Sequence, residues 1–262
     1  VSYALELPAV SATGAGTPVL GETMISESLD YLRNSDDAVR TVVIGGVLGF
    51  LSFLLIPTFF VIGYLLRVIR AAGAGDEQAP VFDDWGDMGI EGVKAFAVTF
   101  VRSLIPVAIA SVLVFFGVLG VASNNSGLGA VGFLLLLVSA LVTLILSLAL
   151  AYVLPAVLAN FAHEGTIGSG FDFGTIRQVV TDREYARGWV YAFAVSLGVA
   201  VVIGVINVIP LLGQLITFVL GPFAFFYASV AAYYIIGKTF AEVQTLDVRD
   251  EDSEMPGEQP VV

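Results

Sequence analysis

An all-α membrane protein is the fold this sequence predicts: a polytopic transmembrane helix bundle of about five spans. Three observations predict it. The 262 residues are 57% hydrophobic and only 13% charged, where soluble domains carry roughly 25% charged residues. The charges are clustered, and no Asp, Glu, Lys or Arg occurs over residues 103–160 or 188–237. A bilayer core takes about 20 apolar residues per helix, so each stretch holds two spans and a short turn. Soluble helices would carry polar residues at helical period on their outer face, and these stretches lack them.

The elements follow in order. Residues 1–23 mix Pro, Gly, Ser and Thr without a clear period, and they lack the cationic start and compact apolar centre of a signal peptide. They are expected to be flexible and to precede a true start at Met24. Residues 25–37 read as a short amphipathic helix with Ile25, Leu29 and Leu32 on one side. The first apolar run, 41–69, is broken by Pro57. It would be about 43 Å long as a helix, too long for one upright span and too short for two. A tilted or kinked span is expected; the alternative is a re-entrant hairpin broken at Pro57. Four further runs cover 95–122 with Pro106, 129–161 with Pro155, 189–209, and 211–236 with Pro222. The second and third join through the uncharged turn Ser123-Asn124-Asn125-Ser126-Gly127, and the last two through a tight, mostly apolar turn at 207–214. Residues 24–240 thus form the transmembrane domain. Residues 241–262, with seven acids from Glu242 onward, read as a disordered acidic tail.

Two loops of similar design precede the hairpins. One reads Pro80-Val81-Phe82-Asp83-Asp84-Trp85, the other Ser169-Gly170-Phe171-Asp172-Phe173. Each leads through a short amphipathic helix into a hairpin, over 80–162 and again over 170–238. This predicts two parallel loop-plus-hairpin repeats with interfacial amphipathic helices, after one lead-in span. Parallel repeats occur in transporters, though inverted ones are frequent there.

Lys and Arg set the expected orientation. Arg67, Arg70, Lys94 and Arg102 flank the first loop, Arg177, Arg183 and Arg187 lie in the second, and Lys238 and Arg249 follow the last run. The short turns carry none. The positive-inside rule puts both long loops and the C-terminus in the cytoplasm of a multi-pass protein of the cell membrane. With five spans the N-terminus lies outside; with a re-entrant first run it lies inside.

The net charge is -12, with acids spread over most exposed segments. Adaptation to high salt accounts for that spread, and an acidic chain is a poor partner for nucleic acid. The absence of cysteine excludes disulfides and thiolate chemistry. The single histidine, His163, excludes multi-histidine metal or haem sites.

Candidate sites are weighed against plainer roles. Asp83-Asp84-Trp85-Gly86-Asp87 does not keep the alternating ligand spacing of a calcium loop. Asp83 or Asp84 is expected to cap a helix. Trp85, Met88, Gly92 and Phe96 then form an apolar stripe that sets Trp85 at headgroup depth. Phe171-Asp172-Phe173 repeats the pattern, with Phe173, Ile176 and Val180 on one face. Arg177, Arg183 and Arg187 then approach anionic lipid heads, the plainer role being positive-inside flanking. Arg102 opens a span and snorkels to the interface. With Arg67, Arg70 and Trp189, these residues form the interfacial or lipid-contacting set. No catalytic set, P-loop or metal cluster is present, so no enzyme, cofactor or metal is expected. No ionisable group lies at membrane depth, as proton relays and voltage sensors require. Asn160, Asn207 and Gln214 are expected to hydrogen-bond between helices.

Three segments carry a resemblance: residues 35–46, including Val42-Val43-Ile44-Gly45-Gly46; Gly63-Tyr64-Leu65-Leu66-Arg67-Val68-Ile69-Arg70; and Phe82-Asp83-Asp84-Trp85-Gly86. Over about residues 24–240 the chain resembles a haloarchaeal integral membrane family known as domain of unknown function 4013. The resemblance implies a small archaeal, halophilic membrane protein, and it carries no activity or functional residues over. The expected function is therefore a non-enzymatic membrane interaction or accessory subunit, in contact with lipid and with another membrane chain. The alternative is a permease or channel for a neutral or lipid-like solute.

Overall fold

The computed structural model describes residues 20–123 and 125–254, with backbone alone described at 20–22 and 246–254. The expectation for the first 19 residues, and for the tail beyond Glu254, lies outside the described residues. Among the described residues the chain is all helical, without a strand. Eight α-helices run in order among the described residues: α1 Leu20–Arg33, α2 Ala38–Phe50, α3 Ile56–Ala74, α4 Trp85–Val121, α5 Ser126–Glu164, α6 Phe173–Thr181, α7 Arg183–Ile206 and α8 Leu212–Glu254. Among the described residues five helices have the length and hydropathy of membrane spans: Ile56–Ala74, Trp85–Val121, Ser126–Glu164, Arg183–Ile206 and Leu212–Thr245.

The first apolar run is not one kinked span. Helix α2 runs antiparallel to α8: Gly45 lies on the Phe226 ring, and Phe50 meets Phe218 with ring centroids 5.2 Å apart. A 3-10 turn at Leu51–Leu54 follows, and Leu55 takes a left-handed φ of 66°. Pro57 then stands in the first turn of α3, where its missing N–H leaves no broken bond. Helix α3 returns parallel to α8, with Tyr64 against Phe226 and Gly73 against Gly237 and Ala241. Residues 38–74 therefore form a hairpin, the alternative that Pro57 had left open.

That hairpin fixes where α1 lies. Helix α1 meets α2 at 91° and packs beside the C-terminal half of α8. Lys238 Nζ donates to Glu27 at 2.7 Å, and Tyr31 lies 4.3 Å from Tyr234. The Asp36 N–H donates to the Gln78 side chain, so α1 and the 75–84 loop share one end of the molecule. The α2–α3 hairpin thus begins and ends at the same end of the molecule, and α1 lies at that end with the 75–84 loop. Its buried face also differs from expectation: Ser28, Tyr31 and Leu32 are buried, while Leu29 faces out.

Packing is concentrated at this loop end. Buried positions of α4 fall mainly at Met88, Gly92, Ala95 and Val98, those of α5 at 156–162, and those of α7 at Tyr185, Gly188, Ala192 and Val195. One core cluster joins Leu66, Ala95, Ala159, Tyr185, Ile235 and Phe240. Helix α8 runs past the expected end of the last span at Ile236, and Phe240 and Val243 keep its apolar period against that cluster. Helices α3 and α4 cross backbone to backbone: a Cβ at Gly92 would collide with the Phe59 carbonyl oxygen, and one at Gly63 with that of Met88. Beyond the core, α4–α5 and α7–α8 extend as two long hairpins whose outer surfaces are apolar and uncovered.

Candidate functional site

The two distinctive loops are built as locks. In the first, Tyr64 stacks on Phe82 with centroids 4.3 Å apart and planes 10° apart. Its hydroxyl donates to the Pro80 carbonyl at 2.9 Å. Three residues on, Arg67 pairs with the Asp83 carboxylate and donates to the Asp83 and Asp84 carbonyls at 3.0 and 3.4 Å. One turn of α3 (Tyr64 to Arg67) thus grips the whole Phe-Asp-Asp segment. Neither acid caps α4 as expected. Asp84 stands at the N-cap position with a left-handed φ of 42° and makes no side-chain cap bond, while Asp83 is the ion-pair partner.

The stripe expected to lie on the interface is turned inward. Met88 and Gly92 pack against α3, and Phe96 meets Phe59 at 5.3 Å. Trp85 keeps an exposed side and leans on Phe60 and Phe82. No separate loop helix forms here, because α4 runs unbroken from Trp85.

The second loop is clasped from two helices. Arg102 of α4 donates Nε to the Gly170 carbonyl at 2.8 Å, and Asn160 of α5 donates Nδ2 to the adjacent Ser169 carbonyl at 2.9 Å. Gly170 lies against Val98. The Arg102 guanidinium also stands 5.7 Å from the Phe171 ring centroid and 4.9 Å from that of Phe173, within cation–π range. Each clasp leaves one shielded atom without a partner among the described residues: Arg102 Nη2, a donor, and Asn160 Oδ1, an acceptor.

Helix α6 is docked rather than laid on a surface. Ile176 shares a core cluster with Val98 and Val157, and Val179 is buried; only Phe173 of the expected apolar face points out. Asp172 caps α6, accepting from the N–H groups of Gly174 and Thr175 and from the Thr175 hydroxyl. The Thr175 side-chain bond, with the backbone bonds beside it, holds this carboxyl below the usual carboxylate range. A depressed folded-state value gives a contribution that is complete above the unfolded pKa of about 3.9 and is lost as pH falls through the folded value. Asp172→Ala is expected to lower the melting temperature at neutral pH and to flatten its decline on acidification below about pH 4. A pH series of thermal melts checks this, and parallel acid limbs for the two proteins would count against it. Asp182 caps α7 in the same way, through Glu184 and Tyr185.

The remaining expected residues divide by partner. Arg70 pairs with Glu91 and Arg187 with Glu184, so their charges are partly answered within the chain. Arg177 and Arg183 are exposed, with no ion pair among the described residues. Trp189 donates Nε1 to the Ala151 carbonyl at 2.8 Å and packs on Tyr152 and Phe193, which ties α7 to α5. Sequence reasoning missed the pairings of Tyr64 with Pro80 and of Arg102 with Gly170. The only sequence signal for the first was that both partners fall in the chain's most distinctive segments.

Residues 50–208 match the family described as Protein of unknown function (DUF4013), and the chain, more than half of it covered, belongs to that family. No curated protein and no solved structure matches the chain.

Proposed function

We propose that this protein acts without catalysis of its own, as an interaction or accessory subunit within the cell membrane. The observation that carries this reading is the fork made by the two long hairpins. Among the described residues α4 shares no packed interface with α7 or α8; α5 meets α7 and α8 only at the loop end, where Tyr152 packs on Tyr185 and Trp189 and where Ala156 and Ala159 share a cluster with Ile235. Beyond it, Leu141 on α5, Phe115 on α4, Val202 on α7 and Phe218 on α8 are exposed. Two separate apolar prongs on a rigid base offer lipid or a neighbouring chain far more surface than a closed bundle does. A photo-crosslinker at Val202 or Leu141, in native membranes, is expected to capture another membrane chain. Purified monomer that moves solute into vesicles would overturn the reading.

One observation favours a permease for a lipid-like solute as the second reading. At the base of the fork, a crevice of about 270 Å³ is lined by Ala151, Pro155, Trp189, Phe193, Tyr233 and Ile236. Its walls suit hydrocarbon, not a hydrated ion.

The loop end is assigned to the cytoplasm by its arginines, and the acids around them suit a high-salt, archaeal setting. Single cysteines are available as probes because the chain has none. Gln78→Cys and Ser126→Cys are expected to label from opposite sides of the membrane, and Ser26→Cys from the side of Gln78→Cys. Labelling of positions 26 and 78 from opposite sides would break the hairpin topology.

A further inference from the structure

We propose that the Arg102 guanidinium is a binding site for the phosphate group of an anionic membrane lipid. The inference rests on the loop end facing a membrane surface and does not depend on the accessory-subunit reading. Arg102 is the last charge before the uncharged stretch 103–160, so it stands at the depth where headgroups meet hydrocarbon. It is also a cation with a shielded nitrogen, Nη2, that has no partner among the described residues. Arg67, Arg70, Arg187 and Lys238 each reach a carboxylate, whereas Arg102 has no ion pair among the described residues. The neighbouring carboxylate, Asp172, is committed to capping α6 through both oxygens.

The guanidinium is held in place. Its Nε is tied to Gly170, and the rings of Phe171 and Phe173 stand beside it. That leaves the two Nη groups, one of them shielded from solvent without an acceptor. A partly desolvated cation without a counter-charge is costly, and a phosphate oxygen is the acceptor that a planar, fixed guanidinium suits best. The surroundings suit a lipid more than a free ion. Phe173 is 71% exposed, and Phe100, Val101 and Ile105 continue an open apolar surface along α4 toward the other end of the hairpin. An acyl chain lying there would bring its own phosphate to Arg102.

Native mass spectrometry of purified, delipidated protein tests this with three probes: dioleoyl phosphatidylglycerol, dioleoylglycerol without phosphate, and inorganic phosphate. Arg102→Gln is expected to weaken phosphatidylglycerol binding about tenfold, the scale of one lost charged hydrogen bond. Dioleoylglycerol is expected to bind weakly to both proteins. Equal phosphatidylglycerol affinity in Arg102→Gln overturns the proposal. Equal binding of dioleoylglycerol overturns it too, because the affinity would then be purely apolar. Displacement of the lipid by millimolar inorganic phosphate would assign the site to a free anion and overturn the lipid source. Phe173→Ala removes an exposed ring without touching the core. It is expected to fold and to bind phosphatidylglycerol severalfold more weakly; if Arg102→Gln fails to fold, unchanged affinity in Phe173→Ala overturns the proposal instead.

Discussion

Tyr64→Ala is expected to be among the most damaging single substitutions in this protein, costing about 3–5 kcal/mol of stability. Three losses combine. The ring is fully buried between Phe82 and Phe226, so its removal leaves a cavity in a close-packed core. The hydroxyl's bond to the Pro80 carbonyl disappears, and with it one of the two side-chain ties from α3 to the first loop. The other is Arg67, whose bonds to the Asp83 and Asp84 carbonyls remain beside an ion pair in which the Asp83 side chain is 58% exposed; such pairs contribute about 0–1 kcal/mol. Tyr64→Phe isolates the hydroxyl and is expected to cost about 0.5–1.5 kcal/mol, and Asp83→Ala less than that. Thermal unfolding in mild detergent, read by far-ultraviolet circular dichroism, ranks the three. An Asp83→Ala loss larger than that of Tyr64→Ala would show that charge, not ring packing, locks the loop.

The hairpins were the legible part of this fold. Stretches 103–160 and 188–237 admit no soluble reading, and α4–α5 and α7–α8 fall across them. The reversal at residues 51–55 was not legible. A long apolar run with an internal proline reads alike as a kinked span and as a hairpin, and a left-handed Leu55 has no sequence signature. Helix limits were underestimated where charge was taken to end a span. Helix α4 starts at Trp85 because its charged first turns rest on α3, and α8 continues past Lys238 because Phe240 and Val243 remain buried. The candidate site was legible as residue types and hidden as partners. Arg67 and Asp83 are 16 positions apart, Arg102 and Gly170 are 68 apart, and neither contact follows from periodicity. The partner of α6's apolar face was hidden for a related reason: an amphipathic helix presents the same pattern to lipid and to a protein core, and here Ile176 and Val179 are buried in the protein.

A glycine series along the start of α4 is expected to separate backbone contact from helix propensity. Gly86, Gly89 and Gly92 lie on one helix at successive threes, yet they meet different surroundings. Nothing stands within 4 Å of a Cβ added at Gly86, so Gly86→Ala is expected to be neutral or slightly stabilising, since alanine loses less backbone entropy in a helix. At Gly89 the nearest atom would be Phe60 Cε1 at 3.0 Å. That ring edge can yield by a small rotation, which limits the cost to less than about 1 kcal/mol. At Gly92 the obstacle is the Phe59 carbonyl oxygen, fixed within α3. No rotamer relieves a clash with backbone, so the two helices must separate, and Gly63, which meets Met88 across the same crossing, loses its contact as well. Gly92→Ala is therefore expected to cost about 3 kcal/mol, the upper end of overpacking penalties, and Gly92→Leu more. Melting temperatures in one detergent give the order directly. If Gly92→Ala melts with Gly86→Ala, the α3–α4 crossing is not a fixed point of the base. The first loop, which hangs between those two helices, would then owe its position to the side-chain ties of Tyr64 and Arg67 and to the bonds from α1 and its following turn.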